Sequence, residues 1–118
     1  MAAEAFTRAL ETTREVRLTV TGRRTGREIS HPVWFAREGD TLYLVPVRGT
    51  DTDWYRNVRK TPTVHLAARG ARLTATATPI SEAARVEHVL ELFRARYGAG
   101  DVAAYYPKQD AALEVPLA

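Results

Sequence analysis

Val16, Leu18 and Val20 alternate with Arg17, Thr19 and Thr21, and this two-residue period is what most limits the fold. Successive side chains of a strand point to opposite faces, so such a run is half-buried with one face on a core. Five more short runs follow. Ile29, His31, Val33 and Phe35 share one parity, and Leu42 to Val47 is apolar on both faces. Thr63–Arg69 and Arg72–Thr78 flank Gly70, and Leu113, Val115 and Leu117 alternate near the end. Gly22 and Gly26 bracket a basic turn between the first two runs, and Glu38-Gly39-Asp40 turns the second into the third. Links this short force antiparallel pairing, because a parallel crossover needs a dozen residues or more. Pro32 removes a ladder donor from the second run and predicts an edge position or a bulge.

Helical spacing appears between these runs. Phe6, Ala9, Leu10 and Thr13 predict a short helix within residues 3–13. Asp53 is the expected cap of a helix from Trp54 to Lys60 that Pro62 ends. Ser81 is the expected cap of the longest helix, whose stripe of Val86, Val89, Leu90, Phe93 and Tyr97 stops before Gly98. Asp101 starts one further turn reaching Tyr105 and Tyr106, with Pro107 as its stop. The expected order is α-β-β-β-α-β-β-α-β. That is a mainly β, α+β chain: a six-stranded antiparallel small barrel or Greek-key roll with two to four short helices at its ends. At 118 residues the chain is expected to form a single domain over 1–118. Apolar residues make up 45%, but alanine is the commonest of them. The core is therefore modest, and the two apolar faces of Leu42–Val47 predict a two-fold homodimer.

Composition removes several functions. With no cysteine there is no disulfide, thiolate nucleophile or Cys-ligated metal. His31, His65 and His88 share no ligand spacing, so no metal is expected. Ser30 and Ser81 are the only serines and neither sits in a nucleophile elbow. Glycine-rich dinucleotide and P-loop motifs are absent. The apolar runs are too short to span a membrane. The start, MAAEAFTRALETTRE, has neither a basic nor an apolar stretch, so a cytoplasmic location is expected. The net charge of +3 suits an anionic small molecule as readily as nucleic acid. Nucleic acid is not expected, because the aromatics are not interleaved with basic residues along the strands.

The positive signal lies in two basic, glycine-containing loops: Thr21-Gly22-Arg23-Arg24-Thr25-Gly26-Arg27 and Arg48-Gly49-Thr50. Glycine lets a backbone approach an anion, Thr and backbone N–H groups donate, and Arg forks onto phosphate or carboxylate. The same loops read equally as solvated hairpin turns. Trp54 follows the second loop directly. It either anchors its helix in the core or offers a flat surface to a planar ring that carries a phosphate tail.

The run Leu18-Thr19-Val20-Thr21-Gly22-Arg23-Arg24-Thr25-Gly26 comes first, followed by a Pro-containing strand. Gly39-Asp40-Thr41-Leu42-Tyr43-Leu44-Val45, Trp54-Tyr55-Arg56-Asn57 and Thr61-Pro62-Thr63-Val64 then follow in order. Together they resemble the deazaflavin-dependent nitroreductase family, most closely over residues 16–66. The resemblance implies a split β-barrel related to the pyridoxamine-phosphate-oxidase-like flavin-binding proteins. It implies a deazaflavin coenzyme (coenzyme F-420) and hydride transfer to a quinone, nitro compound or activated alkene. By the same resemblance Arg23, Arg24, Thr25 and Arg27 would hold the acidic tail, and Val47, Arg48 and Gly49 would lie against the cofactor. Trp54 and Asn57 would lie near the ring. From the residues themselves, His31 shares the parity of Ile29 and Val33 and is expected as a core or site-wall histidine, and His31 and Trp34 are expected to line the substrate pocket. Tyr105 and Tyr106 are the nearest match to the family's tyrosine segment on the substrate side; neighbours on a helical turn diverge, so at most one of the two would face the ring as the catalytic proton donor, and the pair reads equally as a cover on the core. The chain departs from the family at Val47, Thr50 and Thr52, and its Arg48-to-Trp54 loop is shorter. The departures leave FMN as an alternative cofactor. They also leave an alternative role, a non-catalytic split-barrel protein that binds FMN, a deazaflavin or another anionic small ligand.

Overall fold

A computed structural model describes residues 2–118. Helix α1 (Ala2–Ala9) and a 3-10 turn lead into β1 (Glu15–Thr21), which pairs antiparallel with β2 (Glu28–Trp34). The expected second strand then breaks at Phe35 and resumes as β3 (Ala36–Glu38), paired with β4 (Thr41–Leu44) in a different sheet. Helix α2 (Asp53–Lys60) precedes β5 (Thr63–Ala68) and β6 (Ala71–Thr76). Arg69 and Gly70 join this hairpin at φ of 47° and 83°, the geometry whose twist matches the flanking strands. The expected fifth strand also breaks, at Ala77, and resumes as β7 (Thr78–Ile80). Helices α3 (Ala83–Tyr97) and α4 (Ala99–Tyr105) follow, and β8 (Ala112–Pro116) ends the order.

The described residues therefore hold eight strands rather than six. They form two four-stranded antiparallel sheets, ordered β2-β1-β5-β6 and β3-β4-β8-β7, and not a closed barrel. At the first break an amide leaves the ladder: the Phe35 N–H donates to the Tyr97 hydroxyl at 3.1 Å. At the second the Ala77 N–H donates to the Pro62 carbonyl at 2.9 Å, as a last rung of the β5–β6 register, before the chain passes to the other sheet. The chain bends there, and one continuous apolar pattern serves two sheets.

The sheets share a core of Val16, Leu18, Val20, Leu42, Leu44, Val64, Leu66, Leu113 and Val115. Phe6 and Leu10 enter it from the N-terminal segment, and Trp54, Tyr55 and Val58 from α2. Each such large apolar side chain contributes roughly 1.5–3 kcal/mol by its burial. A second core lies between the other face of the second sheet and the helices α3 and α4. It joins Ala36, Val45, Ile80 and Ala112 to Val86, Val89, Leu90, Phe93, Tyr97, Val102 and Tyr106. The second apolar face of the Leu42–Val47 run is thus covered by the chain's own helices, and a second copy is not needed there. The strand itself stops at Leu44, two residues before Pro46, which has no amide to donate. The helix caps also differ from expectation. Thr52, Glu82 and Gly98 hold the cap positions of α2, α3 and α4, without side-chain cap bonds.

Pro32 lies on the sheet edge, as expected, because β2 is the outermost strand. In register, Ile29, His31 and Val33 oppose Val20, Leu18 and Val16. Directly opposed residues share a face, so this β2 row points the same way as the buried row of β1. At the edge the cover runs out: Ile29 and His31 are exposed and Val33 is half-buried.

Candidate functional site

The uncovered β2 row meets the N-terminal half of α2 in two adjoining concavities. One, of about 320 Å³, is lined by Gly22, Arg23, Arg24, Thr25, Ile29, Asp53, Arg56 and Asn57. The other, of about 390 Å³, is bounded by His31, Pro32 and Val33 on one side and by Val47, Arg48 and the Asp51–Trp54 segment on the other. Each alone is near the small end of the range for ligand sites, roughly 300–1,000 Å³. They share Asp53 and the continuous Ile29–His31 edge, and so form one groove.

The first basic turn is fixed at its base. The Gly22 N–H donates to the Arg27 carbonyl at 2.7 Å, and the Gly26 N–H to the Gly22 carbonyl at 2.9 Å. The Asn57 amide oxygen then accepts from both the backbone N–H of Arg23 (3.0 Å) and its guanidinium (2.9 Å). Arg23 also lies 3.4 Å from the Asp53 carboxylate, and the Lys60 ammonium donates to its carbonyl at 2.9 Å. Asn57, 3% exposed, is the buried polar residue among those described. Arg23 and Asn57, expected at the tail and at the ring of a cofactor, instead hold each other and dock α2 on the turn. Arg24 is exposed on the groove and has no ion-pair partner among the described residues. Thr25 lines the groove too, its hydroxyl accepting the Arg27 N–H at 3.2 Å, while Arg27 itself is not among the lining residues.

The second loop is only partly what the sequence suggested. Gly49, at φ +55°, is buried against Asp110 rather than open to a ligand. Both Thr50 donors are used by the Asp110 carboxylate, N–H and hydroxyl each at 2.9 Å. Arg48 keeps a free guanidinium on the groove, and its backbone N–H donates to the Thr52 hydroxyl at 2.7 Å. Val47 stands beside it, 37% exposed. Trp54 is 5% exposed; it belongs mainly to the core and is also among the residues that line the groove.

His31 and Trp34 do not share a wall. They are three apart on one strand, an odd spacing that sends side chains to opposite faces. Trp34 is stacked between Tyr97 (centroids 4.2 Å, planes 11° apart) and Tyr105 (4.6 Å, 23°) against the second core. Tyr106 is buried there too, and its burial, with Tyr97 and Tyr105 nearby, raises its phenol well above the ordinary value. Neither Tyr105 nor Tyr106 lines the groove. Sequence reasoning missed Asp51, Asp53 and Asp110. In the sequence Asp53 reads as a helix cap, and nothing near Asp110 points to a loop sixty residues away.

The groove combines two free guanidiniums with apolar surface. Among the described residues three large apolar side chains are exposed: Ile29, Val47 and Tyr105. Two of the three line this groove. That donor set suits a ligand with an anionic end and a flat apolar part. A concavity of about 410 Å³ on the outer face of the first sheet lacks this combination. His65 pairs there with Thr74 at 2.8 Å, Arg17 and Arg72 carry no side-chain partner among the described residues, and none of the exposed large apolar side chains lines it. No group of three or more potential metal ligands is gathered among the described residues. None of their helices is long and apolar enough to cross a membrane.

Comparison with known proteins adds the following. The family model of F420H(2)-dependent quinone reductase matches residues 2–115. Among solved structures, an F420-H2 dependent reductase is 24% identical with a TM-score of 0.67, covering 86% of this chain and 93% of that one. A protein described as a domain-swapped dimer is 23% identical with a TM-score of 0.68, over 95% and 94% of the two chains. A Clostridium acetobutylicum protein of the pyridoxinephosphate oxidase family is 15% identical with a TM-score of 0.71, over 97% and 82%. At these identities the likeness is one of fold. No curated protein matches the chain.

Proposed function

The chain belongs to the F420H(2)-dependent quinone reductase family, a deazaflavin-dependent oxidoreductase, and on that premise we propose that the β2–α2 groove holds coenzyme F-420 and presents it to a quinone. The wider acceptor class is nitro compounds and activated alkenes. When bound, the reduced deazaflavin supplies the hydride. The protein's part is to bind, orient and handle a proton.

Arg24 takes the anionic tail beside the basic turn, where its fork is free. Arg48 supplies a second positive pole at the other concavity, and Ile29 and Val47 give the apolar contact that a ring system needs. Arg23 and Asn57 act one layer back by fixing the turn to α2. His31 lines the concavity that holds Arg48, and an imidazole N–H can donate to an acceptor there. It takes the proton-donor role in this proposal, because Tyr106 is enclosed and Tyr105 is committed to Trp34. The whole chain is proposed to act as one unit, as a homodimer; a neighbour of 23% identity is described as a dimer.

One observation carries the assignment to this groove: two of the three exposed large apolar side chains sit in it, between free guanidiniums. Titration with reduced deazaflavin and with FMN, followed by turnover with a quinone, tests the proposal. Saturable deazaflavin binding and quinone-dependent oxidation are expected. Binding of FMN alone, or binding without turnover, would overturn it.

A further inference from the structure

The loop between Arg48 and Trp54 lines the groove from Asp51 onward, while Gly49 and Thr50 turn away from it. Gly49, Thr50 and Asp51 are each held from behind. Gly49 packs on Asp110 so closely that a Cβ at this position would lie 1.8 Å from a carboxylate oxygen and 3.0 Å from the Lys108 carbonyl. Thr50 gives both its donors to the two Asp110 oxygens at 2.9 Å. Asp51 is bracketed by Lys108 at 2.7 Å and Arg56 at 2.9 Å, and Arg56 also donates to the Thr50 carbonyl at 3.2 Å. Lys108 lies 3.8 Å from Asp110, which closes the network. Asp110 does not touch the groove. It stands next to Ala111, Ala112 and Leu113, all with no measurable exposure, at the entry to β8 in the centre of the second sheet.

We propose that Asp110 is a positioning residue for the bound cofactor: it transmits the rigidity of β8 to the Gly49–Asp51 loop, and so fixes Arg48 and Trp54 on the groove before a ligand arrives. This rests on the groove being the cofactor site. A loop already held in its bound shape loses less conformational freedom on binding, so its ligand gains affinity with no new contact. The carboxylate suits the task because two fixed acceptors bind the N–H and the hydroxyl of one residue, which sets both the position and the rotation of that residue. Glycine is required opposite, both for the close approach and for the positive φ.

The test compares Asp110→Ala, Asp110→Asn and Thr50→Val by amide hydrogen exchange and by titration with the reduced deazaflavin. Asp110→Ala should speed exchange of the Thr50 amide by about 100-fold and weaken cofactor affinity about tenfold. Asp110→Asn, which offers an acceptor to the amide and a donor to the hydroxyl, should stay within about twofold of wild type in both. Thr50→Val removes one of the two bonds and should fall between them. It also carries the test if Asp110→Ala does not fold. Faster Thr50 exchange with unchanged affinity would overturn the proposal, since the clasp would then be structural only. A Thr50 amide that stays protected without the carboxylate would overturn it as well. Failure of the groove assignment looks different: wild type, its Thr50 amide protected, would bind no deazaflavin, and the role assigned to Asp110 would fall with it.

Discussion

The Tyr97 hydroxyl accepts the Phe35 N–H at 3.1 Å, at the one residue where β2 ends and β3 begins. The same oxygen lies 2.9 Å from the Phe35 carbonyl and 2.7 Å from that of Arg14, and it accepts from the Arg96 side chain at 3.0 Å. One phenol at the end of α3 thus satisfies the backbone where a strand leaves one sheet for another.

Tyr97→Phe should therefore destabilise the fold without changing its core volume. It leaves a buried Phe35 amide unpaired, which costs roughly 1–3 kcal/mol. Urea denaturation would show a lower midpoint. A loss within about 0.5 kcal/mol, as for an ordinary surface change, would mean that water replaces the phenol.

Three of the four groove arginines should separate by role. Arg24→Ala and Arg48→Ala should each weaken deazaflavin binding and flatten its salt dependence, with little change in stability, because both guanidiniums are free. Arg23→Ala should instead lower the unfolding midpoint, since it strips a partner from buried Asn57. Equal salt slopes in all three variants and wild type would mean that no arginine touches the anion.

Gly49→Ala should be among the most damaging small substitutions in the chain. It adds a Cβ at φ +55° and drives it onto the Asp110 carboxylate. A cost of about 2 kcal/mol or more is expected, above the usual effect of a glycine replacement in a compatible site. Calorimetry of the variant measures it directly. A neutral result would mean that the loop moves aside freely, and the clasp would be lax.

For the proton donor the contrast lies between His31 and Tyr105. His31→Gln should lower quinone turnover by about 100-fold, at the lower end of general-acid effects, with cofactor affinity held. Tyr105→Phe should leave turnover unchanged, because its ring stacks on Trp34 outside the groove. The reverse pattern would return the role to the tyrosine.

Acid should loosen the clasp. The Lys108 hydrogen bond and charge hold the Asp51 carboxyl below its usual range. Burial works against ionisation of Asp110, but the two Thr50 hydrogen bonds outweigh it, with Lys108 assisting, and its carboxyl is lowered too. A carboxylate lowered in the folded state adds stability that is complete above its unfolded value and is lost as pH falls through the folded one. Wild type should therefore lose stability below about pH 4, and Asp110→Asn should show a shallower decline. Parallel curves of urea midpoint against pH would remove Asp110 from the account.

The alternation Val16-Leu18-Val20, the short turns and the stripe from Val86 to Tyr97 were legible in the sequence, because period and chain connectivity are local properties. Those features determined the antiparallel pairing, the mainly β class, the basic turn and the edge position of Pro32. The bends at Phe35 and Ala77 were not legible. A bend keeps the apolar parity of the run, and at Phe35 it is stabilised by a distant partner, Tyr97. The parity of Ile29, His31 and Val33 was visible, but only the sheet order shows that their row lies at an uncovered edge and so forms a groove floor. Likewise the sequence offered Arg23, Arg24, Arg48 and Thr50 as equal donors. Tertiary structure divided them, because Asn57 and Asp110 engage two and leave Arg24 and Arg48 free. Hydrogen-bond capacity is finite, and its allocation among residues far apart in the chain is decided only when the chain folds.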